Sequence, residues 1–191
     1  MKNIQRLLVG CVLMTGLSLP AWAANISKDD YYAAKARAEA DLKVEKQKCD
    51  SLSGNAKDVC VAQAEGAHKV AIANAEAQYK GTESEAYDAR KTKIDADYKV
   101  AKERCDDFSG NKKDVCLKEA KAAKVKSEQD AKLARKQEES DGNNKAMNDA
   151  RHEAANATND ANYKLEKEKC DQYSGDVKDR CIARAKSLYH K

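Results

Sequence analysis

The chain has 191 residues, and its 36 Lys and Arg against 32 Asp and Glu give a formal net charge of +4 at neutral pH. Because the two signs are finely mixed, the chain lacks a strong positive field, and nucleic acid is not an expected partner. Leu, Ile, Val and Phe make up only about a tenth of the residues after position 23, too few for an ordinary globular core. Ala, Lys, Glu, Gln and Arg, which favour helix, are abundant instead. The composition predicts long helices with thin alanine-lined seams.

The first 23 residues have the pattern of a secretory signal peptide. Lys2 and Arg6 precede an apolar stretch over 7–19, and Ala-Trp-Ala at 21–23 matches a signal peptidase site. We expect cleavage between Ala23 and Ala24, which leaves 34 basic and 32 acidic residues. The stretch is shorter than the roughly 20 residues that a spanning helix needs, and no later segment is apolar enough. The sequence therefore predicts an exported protein without an integral membrane segment, periplasmic rather than fully secreted.

A lipoprotein signal is an alternative interpretation of the same segment. Leu-Val-Gly-Cys at 8–11 fits a lipobox, in which Cys11 would be lipidated. However, the apolar run continues past Cys11 to Leu19. Cleavage after Ala23, which removes Cys11 as a small apolar residue of the signal, is favoured.

One unit recurs three times in the remainder of the chain. It reads EKQKCDSLSGNAKDVC at 45–60, AKERCDDFSGNKKDVC at 101–116 and EKEKCDQYSGDVKDRC at 166–181. Recurrence at a fixed length of this kind is typical of repeat architectures. We divide the chain into the signal peptide at 1–23 and three helical hairpin repeats at 24–81, 82–140 and 141–191.

The centre of each unit predicts a helix–turn–helix. A glycine follows a long helical stretch, where a left-handed residue after the helix favours glycine. The next residue is Asn or Asp, a preferred N-cap of a new helix. These predicted turn residues are Gly54 with Asn55, Gly110 with Asn111, and Gly175 with Asp176.

The cysteine spacing supports the reversal of chain direction. In the first unit Cys49 lies five residues before Gly54 and Cys60 lies six after it. In an antiparallel hairpin these positions face each other, whereas a straight helix would separate them by roughly 16 Å, beyond the reach of a disulfide. Six cysteines after the signal peptide fit an exported disulfide protein. The predicted pairs are Cys49–Cys60, Cys105–Cys116 and Cys170–Cys181.

Other joints complete a prediction of about six long helices in an all-α fold, extended or packed as a coiled coil. Ser27 with Asp30 predicts the start of the first helix, and Gly81 the end of the second. Thr-Glu-Ser-Glu at 82–85 predicts the next start, although a kinked continuous helix is an alternative there. The segment 140–144 predicts a loop.

Apolar residues at 3–4 spacing predict seams between the helices. The predicted seam positions are Leu42, Cys49 and Leu52; Tyr87, Ile94, Tyr98, Ala101, Cys105 and Phe108; and Tyr163, Cys170 and Tyr173.

The residues argue against catalysis. Zinc sites commonly use Cys-x-x-Cys spacing, whereas ten residues separate each pair here, and His68, His152 and His190 do not recur in register with the units. No phosphate loop, nucleophile elbow or His-Glu-x-x-His motif occurs. We therefore expect no enzyme, no cofactor, no metal and no small-molecule substrate. Most tyrosines lie at seam spacing, which favours packing over ligand binding, although Tyr31 and Tyr32 at the start of the first helix fit this less well.

The signal peptide, the paired cysteines and Ala/Lys-rich helices such as Ala-Lys-Ala-Ala-Lys at 120–124 resemble exported proteins of Gram-negative bacteria that carry TolA-like or cell-envelope labels. A TolA-like label implies an envelope-spanning connector. Since we expect the N-terminal apolar segment to be cleaved and to leave no membrane anchor, the resemblance does not carry that role over.

The leading functional hypothesis is a non-enzymatic periplasmic helical-repeat protein with a structural or protein-interaction role in the envelope, with a protein partner or self-association. A chaperone-like holdase is an alternative, disfavoured by the few large apolar groups. A thiol-redox or metal-handling protein is a second alternative, which free cysteines would support.

Overall fold

The computed structural model describes residues 25–139 and 144–191. This part of the chain folds into six α-helices and contains no strand, as the sequence predicts. The helices are α1 (Lys28–Cys49), α2 (Gly54–Lys80), α3 (Glu83–Cys105), α4 (Gly110–Glu139), α5 (Asn144–Cys170) and α6 (Gly175–Tyr189). The predicted signal peptide with its cleavage site at Ala23 and Ala24, Cys11, and residues 140–143 of the predicted loop lie outside the described residues.

Local capping sets several helix ends. The Ser27 hydroxyl accepts a hydrogen bond from the Asp30 amide at 3.0 Å and begins α1. Gly81 ends α2 in the left-handed region, at φ 66°, where a side chain would be strained. The Thr82 hydroxyl accepts from the Glu85 amide at 3.5 Å and begins α3. These ends match the sequence prediction.

Three disulfides join consecutive helices in the predicted pairs. The Cα–Cα distances are 5.6 Å for Cys49–Cys60, 5.6 Å for Cys105–Cys116 and 5.7 Å for Cys170–Cys181. The sulfur atoms lie 1.93, 1.96 and 2.01 Å apart. The predicted fold of three disulfide-closed αα-hairpins is therefore confirmed.

The details of the disulfide turns correct the sequence prediction. The C-cap of the first helix is Asp50, three residues earlier than Ser53, where a left-handed Gly54 directly after the cap would place it. The next helix is capped by Ser53, in extended conformation, and begins at Gly54, at φ 56°. Asn55 therefore lies inside the first turn of α2, not at its N-cap. The extended Ser53 already makes the change of direction, so the residue after the glycine is helical.

The other two turns depart from the prediction in the same way. Gly110 and Gly175 begin α4 and α6 with φ of 56° and 54°. Asn111 and Asp176 are therefore helical residues too, and Ser174 is the N-cap of α6. All three glycines do adopt the left-handed conformation that the sequence predicts.

The six helices form an open array in which, among the described residues, each helix contacts only its neighbours along the chain. The α2–α3 contact joins the first hairpin to the second, and the α4–α5 contact joins the second to the third. α2 and α3 approach each other closely at Gly66, where an added Cβ would lie 3.1 Å from the Cβ of Ala96. Because α2 and α3 lie side by side, the kinked continuous helix considered at Gly81 is excluded.

Alanine pairs two residues apart allow an inner helix to bury two faces. In α2 both Ala62 and Ala64 are buried, and so are Ala75 and Ala77. Residues two apart on a helix point about 200° away from each other. One member of each pair therefore packs against α1 while the other packs against α3. Ala120 and Ala122 give α4 the same two-sided character.

The core consists almost wholly of alanine and cysteine. Among the described residues no polar or charged side chain is fully buried, and the largest buried side chain is Met147. The buried apolar residues are Ala38, Cys49, Ala62, Ala64, Ala75, Ala77, Ala86, Ala89, Cys105, Ala120, Ala122, Ala131, Met147, Ala154, Cys170 and Ala185. Small side chains allow the helix backbones to approach closely, but each contributes little apolar area.

The α3–α4 seam is confirmed only up to its disulfide. Tyr87 and Tyr98 are half-buried, and side chains of α4 lie over both rings: Arg135 at 5.1 Å from the Tyr87 centroid and Lys124 at 5.0 Å from that of Tyr98. By contrast, Phe108 is exposed. The prediction that this residue continues the seam is wrong, because the chain leaves the helix at Cys105.

Ion pairs connect helices at the surface of the array. The Glu65 carboxylate of α2 accepts from Lys46 of α1 and from Lys99 of α3, each at 2.9 Å. These two ammonium groups lower the pKa of Glu65 to about 2. Lys124 of α4 pairs with Asp95 of α3. Charged groups thus join four successive helices.

No helix in the described part of the chain has the combined length and apolarity needed to cross a membrane.

Candidate interaction edge

The three disulfide turns lie at one end of the array. Successive helices are antiparallel, as the contacts of Glu65 with Lys99 and of Asn111 with Glu168 require. The turns at 50–53, 106–109 and 171–174 therefore share one end, and the Gly81 joint lies at the opposite end. We call these three turns together the turn edge.

Each turn exposes one large apolar side chain at the same repeat position. Leu52, Phe108 and Tyr173 are 42%, 49% and 44% exposed. In each turn the amide of this residue donates to the carbonyl of the preceding cysteine, at 3.0 to 3.1 Å. The backbone of all three residues is therefore held in the same way. Their 3–4 spacing predicted that they lie in buried seams, and the structure corrects this for all three.

An ion pair recurs beside each apolar side chain. Asp50 pairs with Lys57 at 3.0 Å. The equivalent pairs are Asp106–Lys113 and Asp171–Lys178, both at 2.8 Å. Each pair joins the residue after one cysteine to the first turn of the following helix, so it spans the turn beside the disulfide.

The ion pairs shift the pKa values of their members. The hydrogen bond to Asp106 raises the pKa of Lys113 above its usual value. The hydrogen bond from Lys178 lowers the pKa of Asp171. The recurring Cys-Asp and Lys-Asp dipeptides were the sequence signal for these pairs. Neither dipeptide was interpreted as part of an ion pair from the sequence alone.

The spacing along the turn edge is regular because the turns are two helices apart. Packed helix axes lie about 8 to 10 Å apart, which places successive turns roughly 16 to 20 Å from each other. The edge therefore presents three similar apolar groups in a row, each beside a lysine and a carboxylate.

Other exposed large apolar residues lie towards the ends of the array. In the described ranges, α3, α4 and α5 expose none along their lengths. The exposed residues outside the turns are Tyr32 and Val44 of α1, Tyr79 of α2, and Val177 and Leu188 of α6. Tyr31 stacks on Tyr79, with ring centroids 4.9 Å apart, so this aromatic pair packs α1 against α2. Apart from Tyr79, then, the large apolar residues exposed between α1 and α6 lie at the turn edge.

Metal-ligating residues do not gather in the described part of the chain, where no group of three or more His, Cys, Asp or Glu side chains could hold an ion. His152 and His190 are exposed. His68 is partly buried, and its Nε2 atom has no hydrogen-bond partner there.

No protein-family model matches the chain, and comparisons with curated proteins and with solved structures likewise give no match.

Proposed function

We propose that this chain is an exported, non-enzymatic helical-repeat protein of the cell envelope that binds another protein through the turn edge. The threefold recurrence of an exposed apolar side chain beside an Asp–Lys ion pair carries the proposal. A turn needs a glycine and a disulfide for its shape, but neither requires Leu52, Phe108 or Tyr173 to be large and exposed.

The physical form of the array supports an interaction role. The disulfides fix the shape of each turn before binding, so little conformational entropy is lost when a partner binds. Three similar groups on one edge can also contact the same partner at the same time. Once the first turn has bound, the contacts of the second and third turns with the same partner are intramolecular, so the overall affinity exceeds that of any single contact. A weak contact at each turn therefore suffices for stable binding.

Site-specific photo-crosslinking in living Gram-negative cells tests the proposal. A photoreactive amino acid replaces Leu52, Phe108 or Tyr173 in turn, with exposed helical positions Lys126 and Arg151 as matched controls. We expect the three turn positions to form crosslinks to the same partner and the controls to form none. Equal crosslinking from all five positions, or from no turn position, would refute the turn edge as a binding surface.

A holdase is the second candidate, and the exposed side chains of Leu52, Phe108 and Tyr173 favour it. Apolar groups at the surface can bind unfolded clients. An equimolar amount of the protein would then suppress aggregation of a reduced model substrate. Replacing the three residues by serine would abolish the suppression. If the native chain gives no suppression, the holdase role is excluded.

A further inference from the structure

The turn edge contains one pocket between the second and third turns that the repeat alone does not explain. Its volume is about 360 Å³, and its walls come from the start of α4 and the end of α5. Phe108, Val115 and Cys116 supply apolar surface, and the remaining lining residues are polar: Asn111, Lys112, Glu119, Lys169 and Gln172.

Two side-chain amides fix the walls of this pocket. Asn111 of α4 donates from Nδ2 to the main-chain carbonyl of Glu168 at 3.1 Å, across the interface with α5. Gln172 donates from Nε2 to the carbonyl of Lys169 at 2.8 Å. No described residue donates to the amide oxygen of either side chain, so both oxygens remain available as acceptors.

The charges around the pocket leave one cation without a carboxylate. Lys169 lies 3.0 Å from Glu166 and 3.7 Å from Glu119, so its ammonium group already has two carboxylate partners. Lys112 is exposed and has no ion pair with a described residue. The pocket therefore combines an apolar floor, two side-chain amide oxygens that can accept hydrogen bonds and one ammonium group without an ion-pair partner.

The other repeats lack this combination. The residue equivalent to Lys112 is Ala56 in the first unit and Val177 in the third. At the junction of the first and second units, Asp107 occupies the place of Gln172. That junction lacks the cation and carries a carboxylate instead.

We propose that this pocket binds an extended peptide segment in which an apolar side chain neighbours a carboxylate. The apolar side chain packs on Phe108 and Val115, the carboxylate pairs with Lys112, and backbone N–H groups of the peptide donate to Asn111 and Gln172. The free ammonium group of Lys112 favours a peptide that carries a carboxylate at this position, and the amide acceptors favour a peptide over a fatty acid. This inference rests on the proposed function, since it specifies what the partner presents at one part of the turn edge.

Fluorescence anisotropy with short labelled peptides tests the inference on the full-length oxidised protein. The probes are a Gly/Ser-framed peptide with a central Leu-Glu, the same peptide with Leu-Gln, and one that ends in a free leucine carboxylate. The last distinguishes an internal acidic residue from a chain terminus as the source of the carboxylate. We expect at least one carboxylate peptide to bind roughly fivefold more tightly than the Leu-Gln peptide, the upper range for a partly exposed ion pair.

Variants assign the effect to the pocket. Lys112→Ala should remove the preference for the carboxylate, Lys112→Arg should retain it, and Lys126→Ala, which alters a distant ion pair of α4, should leave it unchanged. The pair of substitutions Ala56→Lys and Asp107→Gln should create a second binding site at the junction of the first two units.

Three results would overturn the inference: equal affinity for the carboxylate and Leu-Gln peptides, a preference that survives in Lys112→Ala, or decanoate binding with the same dependence on Lys112. Any of these, together with specific crosslinks from the three turns, would reject this pocket while leaving the turn edge as a binding surface. If the three turn positions form no crosslinks but the peptide preference depends on Lys112, the pocket is retained as a peptide site and the three turns are rejected as a joint binding surface.

Discussion

The last disulfide should be the one that holds α6 in the array. α6 has 15 residues and, within the described part of the chain, contacts only α5 and has Ala185 as its single buried residue. An isolated helix of this length is marginal in water, and its surface ion pair between Lys178 and Asp171 adds little. Cys170→Ser with Cys181→Ser should therefore release α6 while α1 to α5 remain folded.

The magnitude follows from the loop that the disulfide closes. With the two cysteines 11 residues apart in sequence, the chain-entropy estimate is about 3 kcal/mol. Since 1.4 kcal/mol corresponds to a factor of ten in an equilibrium constant, amide exchange in 175–189 should accelerate by about a hundredfold. Hydrogen exchange with mass spectrometry, peptide by peptide, measures this directly.

The matched control is Cys105→Ser with Cys116→Ser. Helix α4 packs against both α3 and α5, so losing its disulfide should lower the stability of the middle of the array rather than release one helix. Unchanged exchange in 175–189 of the first variant would refute the reasoning. So would a loss of protection in all six helices at once.

Two further predictions concern charge and backbone conformation. Because the pKa of Glu65 falls from 4.5 to about 2 on folding, its contribution is complete above pH 4.5 and disappears as the pH falls towards 2. Glu65→Gln should therefore reduce the acid dependence of the free energy of unfolding by about 1 kcal/mol after solvent screening. Urea titration between pH 2 and 6 measures this change. The control is Glu45→Gln, which removes an exposed ion pair within one helix and should not reduce the acid dependence. Gly54→Ala should lower the free energy of unfolding by about 1 kcal/mol from its positive φ alone, since no atom lies near the added Cβ. Gly81→Ala should lower it by at least as much and also displace the Asn25 side chain, which the added Cβ would meet. Faster amide exchange at the start of α1 would show this displacement, and unchanged exchange there would contradict it.

Local signals predicted the helices and their pairing well. Residue types with special backbone or capping preferences, such as Ser27, Gly81 and Thr82, act within one turn of chain and can be recognised without a structure. The disulfide pairing followed from the cysteine spacing in the same way. The predicted signal peptide remains a prediction, since those residues are not described.

The packing of one hairpin on the next required more than local signals. From the sequence alone, the hairpins could be either extended or packed together, although Ala62 with Ala64 and Ala120 with Ala122 did carry a signal for two-sided burial. That signal is weak because alanine is common throughout the chain. Helix amphipathicity gives no help, since a helix that is buried on two opposite faces lacks a single apolar stripe.

The candidate site was missed for a related reason. Hydrophobic spacing assigned Phe108 to a seam, because the 3–4 pattern continued for one step beyond the end of the helix. An apolar residue three positions after the last helical residue can pack against the last turn or remain exposed, and its sequence environment is the same in both cases. Only the structure, which places the end of the helix at Cys105, shows that Phe108 is exposed.

Because each helix packs only on its neighbours along the chain, a protein of this kind can gain or lose hairpins during evolution with little disruption. Duplication or deletion of one disulfide-linked pair of helices alters only the contacts at its borders, because no described helix contacts a helix beyond its neighbours. Stability then changes by a roughly constant increment per hairpin, without a central core that must be rebuilt. Chains of this design with two, four or five hairpins should fold as readily as one with three.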